Sequence, residues 1–247
     1  MTVEPYTPGM PLMEPEEIAL IEKYLTPKSV MLEWGSGGST SYFGAQVAAL
    51  YSIEHDPEWY DIVTEETASL PVTVILSENQ SEDGKVVPWP ECRNKPSLFT
   101  KYVEAVKSFG VNHFDVVLID GRSRAACAQQ ALDYISSDSI VFIHDFWSRP
   151  EYRPALQNYT VIAGDVEDFE AFRRKSVHDK VEKVSTLVAL QKTPNLTEPD
   201  DDELETMWEQ MDNEGGAILG YSAPVGYDIT GLSLIHISEP TRLGMIS

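Results

Sequence analysis

The sequence has few cysteines, no long apolar segment and no recognisable leader. Cys92 and Cys127 are the two cysteines in 247 residues, too few for a disulfide framework and without the spacing of a metal site. Apolar runs such as FDVVLID have the length of a strand, so we expect no contact with a membrane. The N-terminal segment MTVEPYTPGMPLMEPEE lacks the basic-then-apolar order of a secretory signal. These absences predict an intracellular, cytoplasmic protein.

Basic residues are also scarce, with 18 Lys and Arg against 40 Asp and Glu and a formal net charge of -22. Binding to a nucleic-acid backbone requires a basic surface that releases counterions, so this composition argues against a nucleic-acid partner. Nine of the acidic residues lie between Glu198 and Glu214, where there is no basic residue, and the remaining chain is acidic as well. We therefore expect a small-molecule partner.

From Ser29 onward, short apolar runs alternate with amphipathic stretches, which is typical of a parallel sheet covered by helices. STSYFGAQVAAL is predicted as a helix that follows the first strand, and SLFTKYVEAVKSFG as a helix that ends at Gly110. The seven predicted strands are SVMLE, LYSIE, PVTVILS, FDVVLID, SIVFIHD, YTVIAGD and STLVALQK.

This pattern divides the chain into four segments. Residues 29–192 form the predicted domain, and residues 1–28 a helical N-terminal extension. Residues 193–231 form an acidic tail that we expect to be partly disordered. Residues 232–247, which begin LSLIHISEPTR, resemble a translated sequencing adapter; we exclude them from fold and site reasoning and expect the natural C-terminus to be missing.

The acidic tail contains one apolar stripe with helical spacing. Such a stripe packs either on its own domain or on a protein partner, so the tail is a candidate partner-binding segment. The stripe consists of Leu204, Met207, Trp208 and Met211.

A carboxylate, Glu33, ends the first predicted strand, two residues before a glycine turn. In that turn, Gly35, Ser36, Gly37 and Gly38 keep the backbone low enough for a cofactor to lie over it. A pyrophosphate would be repelled by Glu33, and the dinucleotide pattern G-x-G-x-x-G is incomplete because Thr40 occupies its third glycine position. S-adenosylmethionine carries an ammonium and a sulfonium and no phosphate, which suits a carboxylate. The alternative is a carboxylate that caps the amides of the following loop.

The second strand, LYSIE, ends in Glu54, nineteen residues after Gly35. A carboxylate at that strand end can accept both hydroxyls of a ribose, as the corresponding residue does in dinucleotide-binding folds. Glu54 therefore predicts a ligand that contains a nucleoside, but it does not discriminate between a dinucleotide and S-adenosylmethionine.

Four stretches together, LEWGSGGST, YSIEHDPEWY, FDVVLIDGR and SIVFIHDFW, resemble class I S-adenosylmethionine-dependent methyltransferases, and most of all the O-methyltransferase-like families, over about residues 14–192. The resemblance implies an α/β fold: a doubly wound, Rossmann-like sheet of seven strands in the order 3-2-1-4-5-7-6, with the last strand antiparallel and helices on both faces. It also implies S-adenosylmethionine as the cofactor. The implied cofactor-binding residues are Glu33, Gly35, Ser36, Gly37, Glu54 and Asp120.

Candidate catalytic residues follow strands four and five, whose carboxyl ends should meet at one edge of the sheet. His144 and Asp145 are the predicted catalytic pair, and three interpretations are open. In the first, His144 is a general base oriented by Asp145 or Asp120. In the second, these three residues hold a divalent cation that acidifies a hydroxyl. In the third, they satisfy loop amides. Metal-dependent catechol-type relatives add an amide ligand where this chain has Phe146, so the metal is not favoured.

The resulting prediction is methyl transfer to a small-molecule acceptor, at oxygen. The alternatives are an NAD(P)-dependent oxidoreductase and a catalytically silent nucleoside-binding domain that recruits a partner through its acidic tail. Arg122 and Arg124 either bind a carboxylate of the acceptor or pair with neighbouring acidic residues. Trp89, Trp147 and Tyr152 either line an acceptor pocket or pack as core or lid residues.

Overall fold

The computed structural model describes residues 9–81, 83–88, 92, 95–147, 149–164 and 187–193. The acidic tail with its apolar stripe, the adapter-like segment and Trp89 lie outside the described residues.

One sheet of seven strands organises the chain, in the order β3-β2-β1-β4-β5-β7-β6. Strands β1 to β5 are parallel, and β7 lies between β5 and β6, antiparallel to both. This order and the antiparallel strand confirm the predicted sheet. The strands are β1 Val30–Trp34, β2 Ala49–Glu54, β3 Val72–Leu76, β4 Val116–Ile119, β5 Ile140–Ile143, β6 Tyr159–Ala163 and β7 Val188–Lys192.

Helices and 3₁₀ turns connect the strands. Asp56 illustrates a local start signal: its carboxylate accepts the amides of Glu58 and Trp59, and Pro57 occupies the first helical position. The α-helices are α1 Pro15–Glu22, α2 Gly38–Gly44, α3 Pro57–Glu66, α4 Thr100–Glu104 and α5 Arg124–Ala131. The 3₁₀ segments are Pro96–Phe99, Ala105–Phe109, Leu132–Tyr134 and Pro150–Asn158.

Two predicted helices differ from the structure. The helix predicted to reach Leu50 ends at Gly44, because Leu50 belongs to β2 and pairs with Met31 of β1 and Val72 of β3. The helix predicted from SLFTKYVEAVKSFG is divided into α4 and two flanking 3₁₀ segments, and it ends at Gly110 in the left-handed conformation, as expected.

Alternating strand residues divide the core between the two faces of the sheet. On one face, Leu32 and Trp34 of β1 pack in a cluster that includes residues of α4 and α5. On the other face, Met31 packs in a cluster with Ile21 of α1 and Phe43 of α2. Helices therefore cover both faces. Within the described part of the chain, every helix is too short or too polar to cross a membrane.

Candidate functional site

The loops that follow β1 and β4 touch backbone to backbone. Gly35 has a φ of +98°, and a Cβ at this position would lie 2.5 Å from the amide nitrogen of Gly121. A Cβ on Gly121 would in turn lie 1.9 Å from the hydroxyl of Tyr102 and 3.0 Å from Gly35. The carboxyl ends of β1 and β4 can lie this close because glycine, which has no Cβ, occupies both positions.

Glu33 is fully buried, and three hydroxyl groups hold its carboxylate. Ser39 donates to Oε1 at 2.6 Å, whereas Thr40 and Ser52 donate to Oε2 at 2.6 and 2.7 Å. Burial and, to a smaller extent, the charge of Asp120 outweigh the lowering effect of these hydroxyls and raise the pKa of Glu33 to about 7. Glu33 therefore lies inside the protein, where its contacts are hydroxyl groups rather than the loop amides of the alternative interpretation.

The same hydroxyl groups also hold the glycine loop. Ser36 Oγ lies 2.7 Å from Ser52 Oγ, and the amide of Gly37 donates to Thr40 Oγ1 at 2.9 Å. A Cβ on Gly37 would meet no atom of the described residues within 4 Å. The loop therefore has an internal face fixed by hydroxyls and, at Gly37, an open face.

Glu54 lies beside this loop, at the end of β2. Its Oε2 accepts the amide of Ser36 at 2.8 Å, and its Oε1 accepts the amides of His55 and Asp56, both at 2.8 Å. The side chain is 3% exposed. A carboxylate has about four acceptor positions, so the bond from Ser36 leaves Oε2 capacity for a further donor. The structure thus brings the predicted ribose ligand next to the predicted cofactor loop.

His144, which follows β5, lies between two carboxylates. Its Nδ1 is 2.9 Å from Asp120 Oδ1, and its Nε2 is 3.3 Å from Glu17 Oε2. Ionised carboxylates only accept hydrogen bonds, so when both carboxylates are ionised both ring nitrogens donate, as they do in an imidazolium. Burial alone would lower the pKa of His144, but the charge of Asp120 and the hydrogen bonds of Asp120 and Glu17 outweigh burial and raise it to about 10. In this arrangement neither ring nitrogen accepts a proton at neutral pH.

Glu17 is one site residue that was not among those predicted from the sequence, as Ser39, Thr40 and Ser52 were not. It lies on α1, in the segment predicted as an N-terminal extension, and is 3% exposed. Besides contacting His144, it accepts the amide of Leu187 at 3.1 Å and that of Glu14 at 2.9 Å. A signal was present, because Glu17 lies one helical turn before the buried Ile21 and hence on the inward face of α1.

Arg124, the first residue of α5, joins the carboxylates that follow β4 and β5. Its Nη2 lies 3.1 Å from Asp120 Oδ1 and 3.4 Å from Asp145 Oδ2. Its Nε donates to the carbonyl of Gly121 at 3.0 Å, and its Nη1 donates to the carbonyl of His144. Of the two predictions for Arg124, the structure therefore shows pairing with neighbouring acidic residues. Burial would raise the pKa of Asp120, but Arg124 and His144 outweigh burial and lower it.

The three residues predicted as metal ligands do converge. One ligand atom from each of Asp120, His144 and Asp145 falls within 4.8 Å of the others. However, the guanidinium of Arg124 already contacts both carboxylates, and His144 presents two N–H groups rather than a lone pair. Phe146, at the position of the expected amide ligand, is fully buried in the core. As arranged, these residues do not fit a divalent cation.

The aromatic residues near this edge have different roles. Trp147 is buried and donates from Nε1 to the carbonyl of Gly164 at 2.6 Å, so it packs in the core. Tyr152 contacts two guanidinium groups, with ring centroids 5.3 Å from Arg124 and 5.9 Å from Arg149. Arg149 also approaches Asp145 at 3.6 Å, from the solvent side.

No protein-family model and no curated protein matches the chain. Among solved structures, a methyltransferase-like protein from Silicibacter pomeroyi is 23% identical and has a TM-score of 0.53, covering 82% of this chain and 96% of its own. SMU.1697c from Streptococcus mutans, crystallised with SAH, is 11% identical with a TM-score of 0.46, covering 74% and 100%. An rRNA methylase from Streptococcus thermophilus is 9% identical with a TM-score of 0.44, covering 74% and 99%. With the sheet order, the first of these likenesses shows a Rossmann-like methyltransferase fold.

Proposed function

We propose that this chain is an S-adenosylmethionine-dependent methyltransferase that acts on a small-molecule acceptor, at oxygen. The observation that carries the proposal is the antiparallel strand β7 between β5 and β6. Dinucleotide-binding sheets have the order 3-2-1-4-5-6, whereas the order here is that of the methyltransferase fold. The topology therefore favours methyl transfer over the oxidoreductase alternative.

The loop after β1 and the end of β2 would hold the cofactor. Gly35, Ser36 and Gly37 would lie beneath it, and Glu54 would accept from its ribose; the open face at Gly37 and the position of Glu54 beside Ser36 support this assignment. Glu33 would act through the hydroxyls that surround it rather than by direct contact. When bound, S-adenosylmethionine supplies a methyl group on a sulfonium.

The ends of β4 and β5 would receive the acceptor. Much of the catalysis in methyl transfer is alignment of the acceptor with the methyl group, and a base is needed only if the acceptor must lose a proton. The side chain of Asp145 is 34% exposed and that of His144 is 13% exposed. We therefore propose that Asp145 contacts the acceptor. His144 and Asp120 would instead hold the ends of β4 and β5 in place through their ion pairs.

Calorimetric titration with S-adenosylhomocysteine and, separately, with NADH tests the proposed cofactor. We expect binding of the first and not of the second. Glu54→Gln should weaken the binding, whereas Glu65→Gln, the same change on the exposed surface of α3, should not. Binding of NADH alone would favour the oxidoreductase alternative.

Transfer of labelled methyl groups from S-adenosylmethionine to a metabolite extract tests the activity. Labelled small molecules are the expected result, and cofactor binding without transfer would favour the silent nucleoside-binding domain. Because the net charge is -22, the same assay with RNA should give no labelled product, and labelled RNA would contradict the assignment of a small acceptor.

A further inference from the structure

The charged residues after β4 and β5 form a compact ionic cluster, which we define as Glu17, Asp120, Arg124, His144 and Asp145. Asp120 lies within 3.1 Å of both Arg124 and His144, and Glu17 and Asp145 each contact one of these two cations. The cluster comes from α1, α5 and the ends of two strands. Three carboxylates thus meet two internal cations.

We propose that Arg124 is the built-in cation of this edge, so that the methyltransferase positions its acceptor without a divalent metal. This inference rests on the proposed function, because it concerns the acceptor side of the same site. Arg124 takes the place between Asp120 and Asp145 that a shared metal ion would need, and its side chain is only 7% exposed.

Two features of the cluster oppose a metal ion. A divalent cation bound to Asp120 and Asp145 would have to displace the guanidinium or lie next to it, and like charges repel at that distance. The two ring nitrogens of His144 also face carboxylates, Asp120 at 2.9 Å and Glu17 at 3.3 Å, so both nitrogens already have a partner. The donor atoms that converge here are therefore already engaged in ion pairs.

The arrangement also bears on the acceptor. A metal-dependent site can hold an acceptor by chelating two neighbouring oxygens, whereas a guanidinium cannot coordinate them, and the N–H groups of Arg124 are engaged within the protein. The expected acceptor is therefore one whose reactive oxygen needs no metal chelation. Neighbouring hydroxyl pairs, as in a catechol, would have no special advantage.

Binding of Mn²⁺ to the full chain, followed by electron paramagnetic resonance, tests the proposal without relying on activity. The wild-type protein should show no site at this edge tighter than about 1 mM. Arg124→Ala should tighten Mn²⁺ binding by roughly tenfold or more, because it removes the competing charge while leaving both carboxylates. Adding Asp120→Asn to that variant should abolish the gain. Arg149→Ala is the matched control: it removes a cation that contacts Asp145 from the solvent, and it should change little.

A wild-type site of micromolar affinity that disappears in Asp120→Asn would overturn the proposal, and this arm needs no Arg124 variant. If Arg124→Ala does not fold, Arg124→Lys tests the same point, because a retained cation should keep Mn²⁺ out; tight binding by the lysine variant would contradict the proposal. Titration of the wild type with S-adenosylhomocysteine, with and without chelator, separates the two hypotheses. If S-adenosylhomocysteine binds under neither condition, the proposed function is wrong. If it binds and a tight Mn²⁺ site is also found, only the role of Arg124 is wrong.

Discussion

Two carboxylates at neighbouring strand ends have opposite ionisation behaviour. Glu33 of β1 is surrounded by three neutral hydroxyl donors, and its pKa is raised to about 7. Asp120, which follows β4, is paired with Arg124 and His144, and its pKa is lowered. Burial raises both pKa values, so the difference comes from the partners. The hydroxyl donors around Glu33 only partly offset the cost of burying its charge, whereas the attraction of the two cations to Asp120 is larger than that cost.

The comparison separates the two halves of the site. The proposed cofactor side, around the β1 loop and Glu54, is held mainly by amides and hydroxyls, with the ring of one histidine, His55, 2.7 Å from Glu54 Oε1. The proposed acceptor side, around Asp120 and His144, is held by ion pairs. The proposed cofactor side therefore relies mostly on neutral donors, whereas the proposed acceptor side has two cations of its own, Arg124 and His144.

The largest expected effect comes from Arg124→Ala, which removes a cation from the acceptor side. We expect a loss of about 3 kcal/mol in the free energy of unfolding, at the low end for breaking a buried pair because Asp120 and Asp145 retain contact with water. Urea unfolding at neutral pH measures it. Arg149→Ala, whose side chain is 48% exposed, should cost less than about 1 kcal/mol. Equal losses in the two variants would show that Arg124 is no more important than a surface cation.

The next effect concerns Glu33 and its dependence on pH. A carboxyl whose pKa is raised on folding binds more protons in the native state than in the unfolded state, so it makes the protein less stable as the pH rises from about 4.5 to about 7. Glu33→Gln lacks this titration. Relative to wild type, the variant should therefore gain about 2 kcal/mol in unfolding free energy between pH 5 and pH 8.

Urea unfolding of wild type and Glu33→Gln at several pH values checks this gain, with Glu65→Gln on the exposed surface as the control. A constant difference across pH would mean that Glu33 is ionised throughout, as Asp120 is.

His144 should show a pH dependence in the alkaline range. A histidine whose pKa is raised on folding stabilises the protein fully below its unfolded pKa of about 6.5, and this stabilisation is lost as the pH rises toward about 10. Between pH 7 and pH 9 we expect the unfolding free energy of wild type to fall by about 1–2 kcal/mol relative to His144→Gln. This is less than the full pKa shift implies, because the interacting groups of the cluster titrate together.

The ring signals of His144 in an NMR titration give an independent measurement. A midpoint near that of free histidine would show that His144 is not held protonated between Asp120 and Glu17, and would restore it as a candidate general base.

The smallest expected effect is on cofactor affinity. Glu54→Gln should weaken the binding of S-adenosylhomocysteine by about 1 kcal/mol, roughly fivefold in Kd, because the amide keeps one acceptor oxygen but loses the charge. Adenosine should weaken by a similar factor, since the ribose is common to both ligands. Calorimetry that shows S-adenosylhomocysteine weakened and adenosine unchanged would place Glu54 away from the ribose.

Much of the fold is predictable from the sequence because its signals are local. Buried parallel strands produce short apolar runs, and Asp56 with Pro57 starts a helix through its nearest neighbours. The boundary at Leu50 was predicted wrongly because the apolar residues from Phe43 to Leu50 suit either a helix or a strand. The pairing of Leu50 with β1 and β3 decides between them.

The sequence by itself determined the strands, the sheet order through family resemblance, and which residues stand at each strand end. Only the tertiary structure decided what each of them contacts. Glu17 reaches the amide of Leu187, 170 residues away, and the ring of His144; Arg124 occupies the space between Asp120 and Asp145. The charge state of a buried group depends on burial and on partners within a few ångströms, and these distances are set by packing rather than by spacing along the chain.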